Sequence, residues 1–328
     1  MSPSSSSRSS KPKPAEVAAE TKKFLKRTAS TWPAYSYLFT QPLAITPDQL
    51  PSRPMMNLNP PSFCESDVRD GDPVDFATCW SNANNNAPVA FICAANEKRP
   101  GGDWETGVSG YEERLCRRSN LSSHLSNPKT NYPLPAEGGL YSGRVASPLV
   151  VFRGPHDRYE HRDPSEWHTL PVVSVVPTRW PKLKSNGTCY SFSGEYELAK
   201  AKLRAALTIC VYNDIRTVVI GDFGLGTIRN PPQLMAEMWR EVLLWDPNLR
   251  GRIENVAFVF DDRTQTTTKI IMNELTKKSR SGGSGQSSSS TAGYPTDYDI
   301  FAHVFGDAEV TRVLTQPDSR MGVNNIVS

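Results

Sequence analysis

The chain has 328 residues, with 37 Lys and Arg against 34 Asp and Glu, for a formal charge of +3. So balanced a charge excludes a globally basic nucleic-acid-binding protein, which needs clustered cations. Only 38% of the residues are hydrophobic and 27 are proline, so parts of the chain do not pack, while the middle is long enough to bury one α/β core. The six cysteines, at 64, 79, 93, 116, 189 and 210, form no C-x-x-C pair and no metal-ligand spacing. They read as reduced thiols, and neither a metal nor a cofactor is expected.

No apolar run reaches the roughly 18 residues of a membrane span. The opening MSPSSSSRSSKPKP has no apolar signal core. An intracellular protein, cytoplasmic or nuclear, is therefore expected, and the sequons at Asn120 and Asn186 are read as chance matches.

Residues 1–14 have the composition of a disordered tail, and 15–29 that of a helix. Lys22, Lys23, Lys26 and Arg27 should lie on its solvated face. An irregular stretch follows, set by Pro42, Pro47, Pro51, Pro54, Pro60 and Pro61. VAFICAAN, 89–96, predicts a buried strand, and YEERLCRRSNLSSHL, 111–125, a helix. VVSVVP, 172–177, predicts a second buried strand; 195–212 carries a helical stripe of Leu198, Leu203, Leu207, Cys210 and Val211. TVVIGDFGLG, 217–226, predicts a strand and then a glycine loop. Asn230 is placed to cap a helix with Pro231 at its first position, and VAFVFDD, 256–262, predicts a last strand. Residues 279–296 read as a flexible Ser/Gly loop, and 297–328 as a C-terminal segment with one apolar stretch, YDIFAHVF. Alternating strands and helices predict a sheet covered on both faces.

Two loops follow strands, 96-NEKRPGGDWETGVSG-110 and 221-GDFGLGTIRNPP-232, and ligands of such sheets bind beyond the carboxyl ends of strands. Gly101–Gly102 and Gly224-Leu225-Gly226 let backbone approach a ligand closely and present N–H groups to an anion. Each loop taken alone reads better as a tight turn closing a strand–helix connection. Glu112 and Glu113 start the following helix. Neighbouring helical residues point about 100° apart, so one carboxyl can reach a reacting bond while the other holds a hydroxyl. Glycosidic cleavage needs such an acid. An ordinary acidic first turn has the same sequence.

The block PVAFICAANEKRPGG, nine residues, then EERLCRRSNL resembles the signature of microbial-type poly(ADP-ribose) glycohydrolases, a macrodomain-like family with NPGGG, a short loop, QEE and LCRRS. Pro100, Gly101, Gly102, Glu112, Glu113, Leu115, Cys116, Arg117, Arg118 and Ser119 match it. Further on, 138-GGLYS-142 with Val151-Phe152-Arg153, and then VVIGDFGLGTIRNPP, resemble the family's GGLYSP…VFR and LVLGAWGCGAFGNDP. The resemblance runs from about 15 to 275, so 15–278 is taken as the macrodomain-like domain.

The resemblance implies a three-layer α/β/α sandwich with a mixed central sheet. It also implies cleavage of the glycosidic bond that joins ADP-ribose to poly(ADP-ribose) or to a target. Glu113 would be the general acid and base, and Glu112 would hold the same ribose. Asn96, Gly101 and Gly102 would bind ribose and diphosphate from one side; Gly224, Leu225, Gly226 and Thr227 would bind diphosphate from the other. Phe223 would pack on the ligand or belong to the core. Asp103 replaces the third glycine and Tyr111 the glutamine, so both contacts are altered; these departures favour the other reading, a non-catalytic ADP-ribose reader. Arg117 and Arg118 could serve phosphate or pair structurally, and the histidines form no site. The expected partner is ADP-ribose or an ADP-ribosylated protein or polymer, bound by a monomer, with no nucleic acid and no membrane.

Overall fold

A computed structural model describes residues 12–40, 68–127, 132–280 and 293–315. The proline-rich stretch, most of the expected N-terminal tail and most of the Ser/Gly loop lie outside these residues. The elements are α1 (Pro14–Thr28), β1 (Ser36–Thr40), β2 (Val68–Asp70), α2 (Pro73–Ala83), β3 (Val89–Ala94), α3 (Tyr111–Arg118), α4 (Leu121–Leu125) and β4 (Gly138–Ser142). They continue with β5 (Val150–Val151), β6 (His168–Thr169), β7 (Val172–Val175), α5 (Ser193–Tyr212), β8 (Thr217–Ile220), α6 (Pro232–Trp245), β9 (Asn255–Phe260), α7 (Thr267–Arg280), α8 (Asp297–Phe305) and α9 (Asp307–Thr315).

Seven strands form one sheet in the order β1-β4-β7-β3-β8-β9-β2, and β5 pairs with β6 in a separate ribbon. β7, β3, β8, β9 and β2 run parallel, while β4 is antiparallel to both β7 and β1. This is the expected mixed α/β/α sandwich. The parallel strands alternate between two buried faces, as period-2 side chains must. Ala90, Ile92, Val218, Ile220, Val256 and Phe258 face the layer that holds α5, α6 and α8. Val89, Phe91, Cys93, Val219, Ala257 and Val259 face the layer of α2 and α3.

Three local readings are corrected. The helix expected over 111–125 breaks at Ser119, which is extended and bridges Val151, while Asn120 fixes the break by donating to Pro148 O and accepting from Val150 N. Asn120 is buried, so its sequon could not carry a sugar in this fold. Asn230 does not cap α6, whose N-cap is Pro231; its amide is committed to Thr178 O and Gly224 O. Finally, the apolar C-terminal stretch is core: on α8, Phe301 and Phe305 pack on Phe258 with ring centroids 5.1 and 4.4 Å apart. Burying two such rings contributes on the order of 3–6 kcal/mol, so α8 is part of the sandwich.

Candidate active site

All five parallel strands end at one edge, and the loops after β3, β8 and β7 meet there. After β3, the chain turns at Asn96, whose Oδ1 accepts from Lys98 N (2.9 Å) and Arg99 N (3.1 Å). Gly101 and Gly102 take left-handed φ values of +71° and +58°, which glycine adopts without strain.

The rest of this loop is held from behind by Arg117, the side chain that sequence left between phosphate and structure. Fully buried, it donates Nε to Trp104 O (2.8 Å) and a terminal nitrogen to Thr106 O (2.8 Å) and Val108 O (2.7 Å). Arg117 thus positions the loop. α1 supports the same unit, with Thr21 Oγ1 donating to Arg117 O and Lys22 pairing with Glu105. Arg118 pairs with Asp72 and Asp75 under the sheet edge, so neither arginine serves a ligand phosphate.

Glu112 and Glu113 are both buried at the start of α3, with Gly110 as N-cap. Glu112 Oε2 accepts from the Asn96 backbone N–H, while its Oε1 is buried with no partner among the described residues. Burial, with the Glu113 charge adding to it, pushes the Glu112 carboxyl up to about 8 against the pull of the Asn96 and Gly101 amides. It therefore carries a proton at neutral pH. Glu113 lies at the loop backbone, accepting from Asp103 N at 3.4 Å. A Cβ at Gly102 or at Gly110 would stand 2.1 Å from one or the other Glu113 oxygen. Both glycines are therefore needed to admit this carboxylate.

The two departures are accommodated differently. Asp103 turns outward and pairs with the exposed Arg99 at 2.7 Å, so its charge is not aimed into the site. The Tyr111 ring packs against the Gly221 backbone, where a Cβ would meet Cζ at 3.2 Å. Its hydroxyl is buried on the side of Asp222, whose carboxyl it helps to hold down against burial. Tyr111 fills the seam between the two glycine loops.

In the second loop, Gly224 and Gly226 also have left-handed φ, +80° and +58°. The Gly226 amide donates to Thr267 Oγ1 at 2.6 Å. Thr267 Oγ1 in turn donates to Asp297 Oδ2 (2.6 Å), and Gln265 Nε2 bridges Asp297 (2.9 Å) to Asp222 (3.1 Å). Burial pushes the Asp222 carboxyl up to about 6. The backbone N–H groups of Gly224 and Thr227 make no hydrogen bond among the described residues. Leu225 offers no group to a ligand: its side chain is core, its N–H donates to Asp222 O and its carbonyl accepts from Ile228 N. Of the two roles left open for Phe223, packing on the ligand or in the core, the structure has the core one: it is 3% exposed and meets Trp239 edge-on at 5.8 Å.

Sequence reading missed the loop after β7. Thr178 O accepts from Asn230, and Trp180 donates its backbone N–H to Ile228 O and its indole N–H to Thr227 O, each at 2.9 Å. An apolar-to-polar switch after the strand, with a tryptophan in it, was the available signal. His156 lies between Asp72 and Asp261, 3.7 and 3.6 Å away. Arg114 and Arg118 already pair with these carboxylates, so the group reads as an ion-pair network. A cleft of about 300 Å³ between α1 and α4, lined by Leu25, Trp32, Ser123 and others, does not involve the two glutamates.

The sandwich gathers two glycine loops and a buried carboxyl pair beyond the carboxyl ends of its parallel strands, where ligands of such sheets bind. Residues 9–152 match the family model of the microbial-type PARG catalytic domain, PARG being poly(ADP-ribose) glycohydrolase. The fold is that of the PARG of Thermomonospora curvata, with a TM-score of 0.58 and 19% identity over 80% of this chain and 98% of that one. The same protein bound to the inhibitor ADP-HPD gives a TM-score of 0.51 at 17% identity, with the same coverage. No curated protein matches the sequence.

Proposed function

We propose that this protein is a glycohydrolase that cleaves the glycosidic bond of ADP-ribose attached to poly(ADP-ribose) or to a target protein. The observation that carries the reading is the buried Glu112–Glu113 pair at a helix start, with Glu113 fitted against Gly102 and Gly110 and the adjacent Tyr111 packed on Gly221 of the second glycine loop. The family match over residues 9–152 and the T. curvata enzyme, solved with ADP-HPD, support this ligand class.

In this reading the Gly101–Gly102 backbone embraces the ribose and diphosphate, and the amides of Gly224 and Thr227 take the diphosphate from the other side. Asn96 and Glu112 hold the ribose. Neutral at pH 7, Glu112 adds no charge beside the phosphates and can donate from its unpartnered oxygen to a sugar hydroxyl. Glu113 enters the reaction in its protonated form, gives that proton to the leaving oxygen as the anomeric carbon develops oxocarbenium character, and as the resulting carboxylate takes a proton from the attacking water, which restores the acid. No metal is needed for these steps.

The test is to incubate pure protein with poly- and mono-ADP-ribosylated substrates and measure free ADP-ribose. Release from either supports the reading. Tight binding of ADP-ribose without release from any substrate would instead make the protein a reader.

A further inference from the structure

Trp180 is 60% exposed and Phe192 is 55% exposed, large apolar surface for an intact fold to leave in water. Their segments run side by side: Leu183 bridges Tyr190, and Ser191 N donates to Lys182 O at 2.7 Å. Both rings carry cations. Arg179 and Arg229 lie 5.5 and 5.9 Å from the Trp180 centroid, and Lys182 lies 5.5 Å from that of Phe192. The ledge is not uniformly basic, since Arg229 also pairs with Glu274 and Glu195 accepts from Lys182 N. It is nevertheless continuous with the candidate site, because both Trp180 N–H groups bond to carbonyls of the second glycine loop.

We propose that this ledge, Trp180, Lys182 and Phe192 with Arg179 and Arg229, binds the nucleotide unit of poly(ADP-ribose) adjacent to the one held in the pocket. The proposal rests on the glycohydrolase reading and adds a preference for polymer over single ADP-ribose groups. Aromatic faces beside cations are what a polyanionic nucleotide chain requires, since bases stack and phosphates pair. One ADP-ribose has a single base, and its diphosphate is matched by the amides of the two glycine loops. Two open ring faces with further cations outside those loops therefore suit a longer chain. Trp180 holds this position in a left-handed conformation, φ +49°, fixed by its two hydrogen bonds.

The experiment compares affinity for ADP-ribose and for short poly(ADP-ribose) in the full chain, Phe192→Ala and Lys182→Glu, with oligo(dA) as competitor; Trp180 is left in place because it also holds the second glycine loop. Base stacking contributes on the order of 1–3 kcal/mol per base, so polymer affinity should fall about fivefold or more in Phe192→Ala and severalfold in Lys182→Glu. ADP-ribose affinity should stay within about twofold. Each variant alters one exposed side chain, so Lys182→Glu keeps the test valid if Phe192→Ala does not fold. Equal losses for ADP-ribose and polymer would overturn the proposal by making the ledge a wall of the pocket. So would unchanged polymer affinity, or oligo(dA) competing as well as polymer. Failure of wild-type protein to bind ADP-ribose at all would instead reject the underlying functional reading.

Discussion

Gly102 lies so close to Glu113 that a Cβ built on it would stand 2.1 Å from Oε1 of that carboxylate, with the Asn96 amide 3.0 Å away on the other side. The loop and the acid are therefore fitted to each other. Gly102→Ala must displace Glu113 and also forces alanine into φ +58°. We expect ADP-ribose release to fall by about 10²-fold or more and stability to drop by on the order of 1–3 kcal/mol. Gly107→Ala, where a Cβ meets nothing within 4 Å, is the matched control and should leave both unchanged in turnover and thermal denaturation assays.

Arg117 spans three loop carbonyls with one guanidinium. Arg117→Lys keeps the charge but cannot reach all three, and leaves a buried ammonium short of partners. The variant should lose about 2–4 kcal/mol of stability. Faster amide hydrogen exchange should be concentrated in residues 103–109. Uniform loss of protection across the sheet would show that Arg117 supports the core and not the loop.

Much of this was legible in the sequence, and its limits are physical. β3, β7, β8 and β9 announce themselves as short apolar runs because parallel strands are buried on both faces. The carboxyl pair and both glycine loops come from local motifs whose residues stay together in the chain. The role of Asn230 was misplaced because a capping residue and a loop anchor are the same residue type, separated only by tertiary partners such as Thr178. Phe223 could not be assigned because a strand-end aromatic looks alike whether it faces ligand or Trp239. The Asp222–Gln265–Asp297–Thr267 chain was out of reach, since it joins residues as far apart as 222 and 297 through side chains no pattern links.

That chain leads to another prediction. Asp297 on α8 orients Thr267, which holds the Gly226 amide. Asp297→Ala should weaken ADP-ribose binding about 3–30-fold, although Asp297 lies behind the loop, because the second glycine loop loses its anchor. Isothermal titration calorimetry on folded variant protein checks this, and wild-type affinity in that variant would show the loop to be self-supporting.

Burial gives Glu112 a folded-state pKa of about 8, above the roughly 4.3 of an unfolded glutamate. The folded state therefore binds the proton more tightly. The associated stability is fully present below about pH 4 and is lost as pH rises through about 8. Glu112→Gln, neutral at every pH, should gain on wild type by roughly 4 kcal/mol between pH 5 and 9. Urea denaturation at both pH values measures the difference; a constant gap would mean that Glu112 is ionised in the folded protein at pH 5.

The central claim is that Glu113 transfers the proton. It is tested most directly by ADP-ribose release from poly- and mono-ADP-ribosylated substrates, with wild type, Glu113→Gln and Glu112→Gln assayed together and ADP-ribose binding measured on each. The amide keeps the shape of the side chain but cannot protonate the leaving oxygen. Glu113→Gln should therefore bind ADP-ribose while losing about 10²–10⁴-fold in turnover, and Glu112→Gln should lose less. Release by Glu113→Gln at the wild-type rate would contradict the account and place the acid elsewhere.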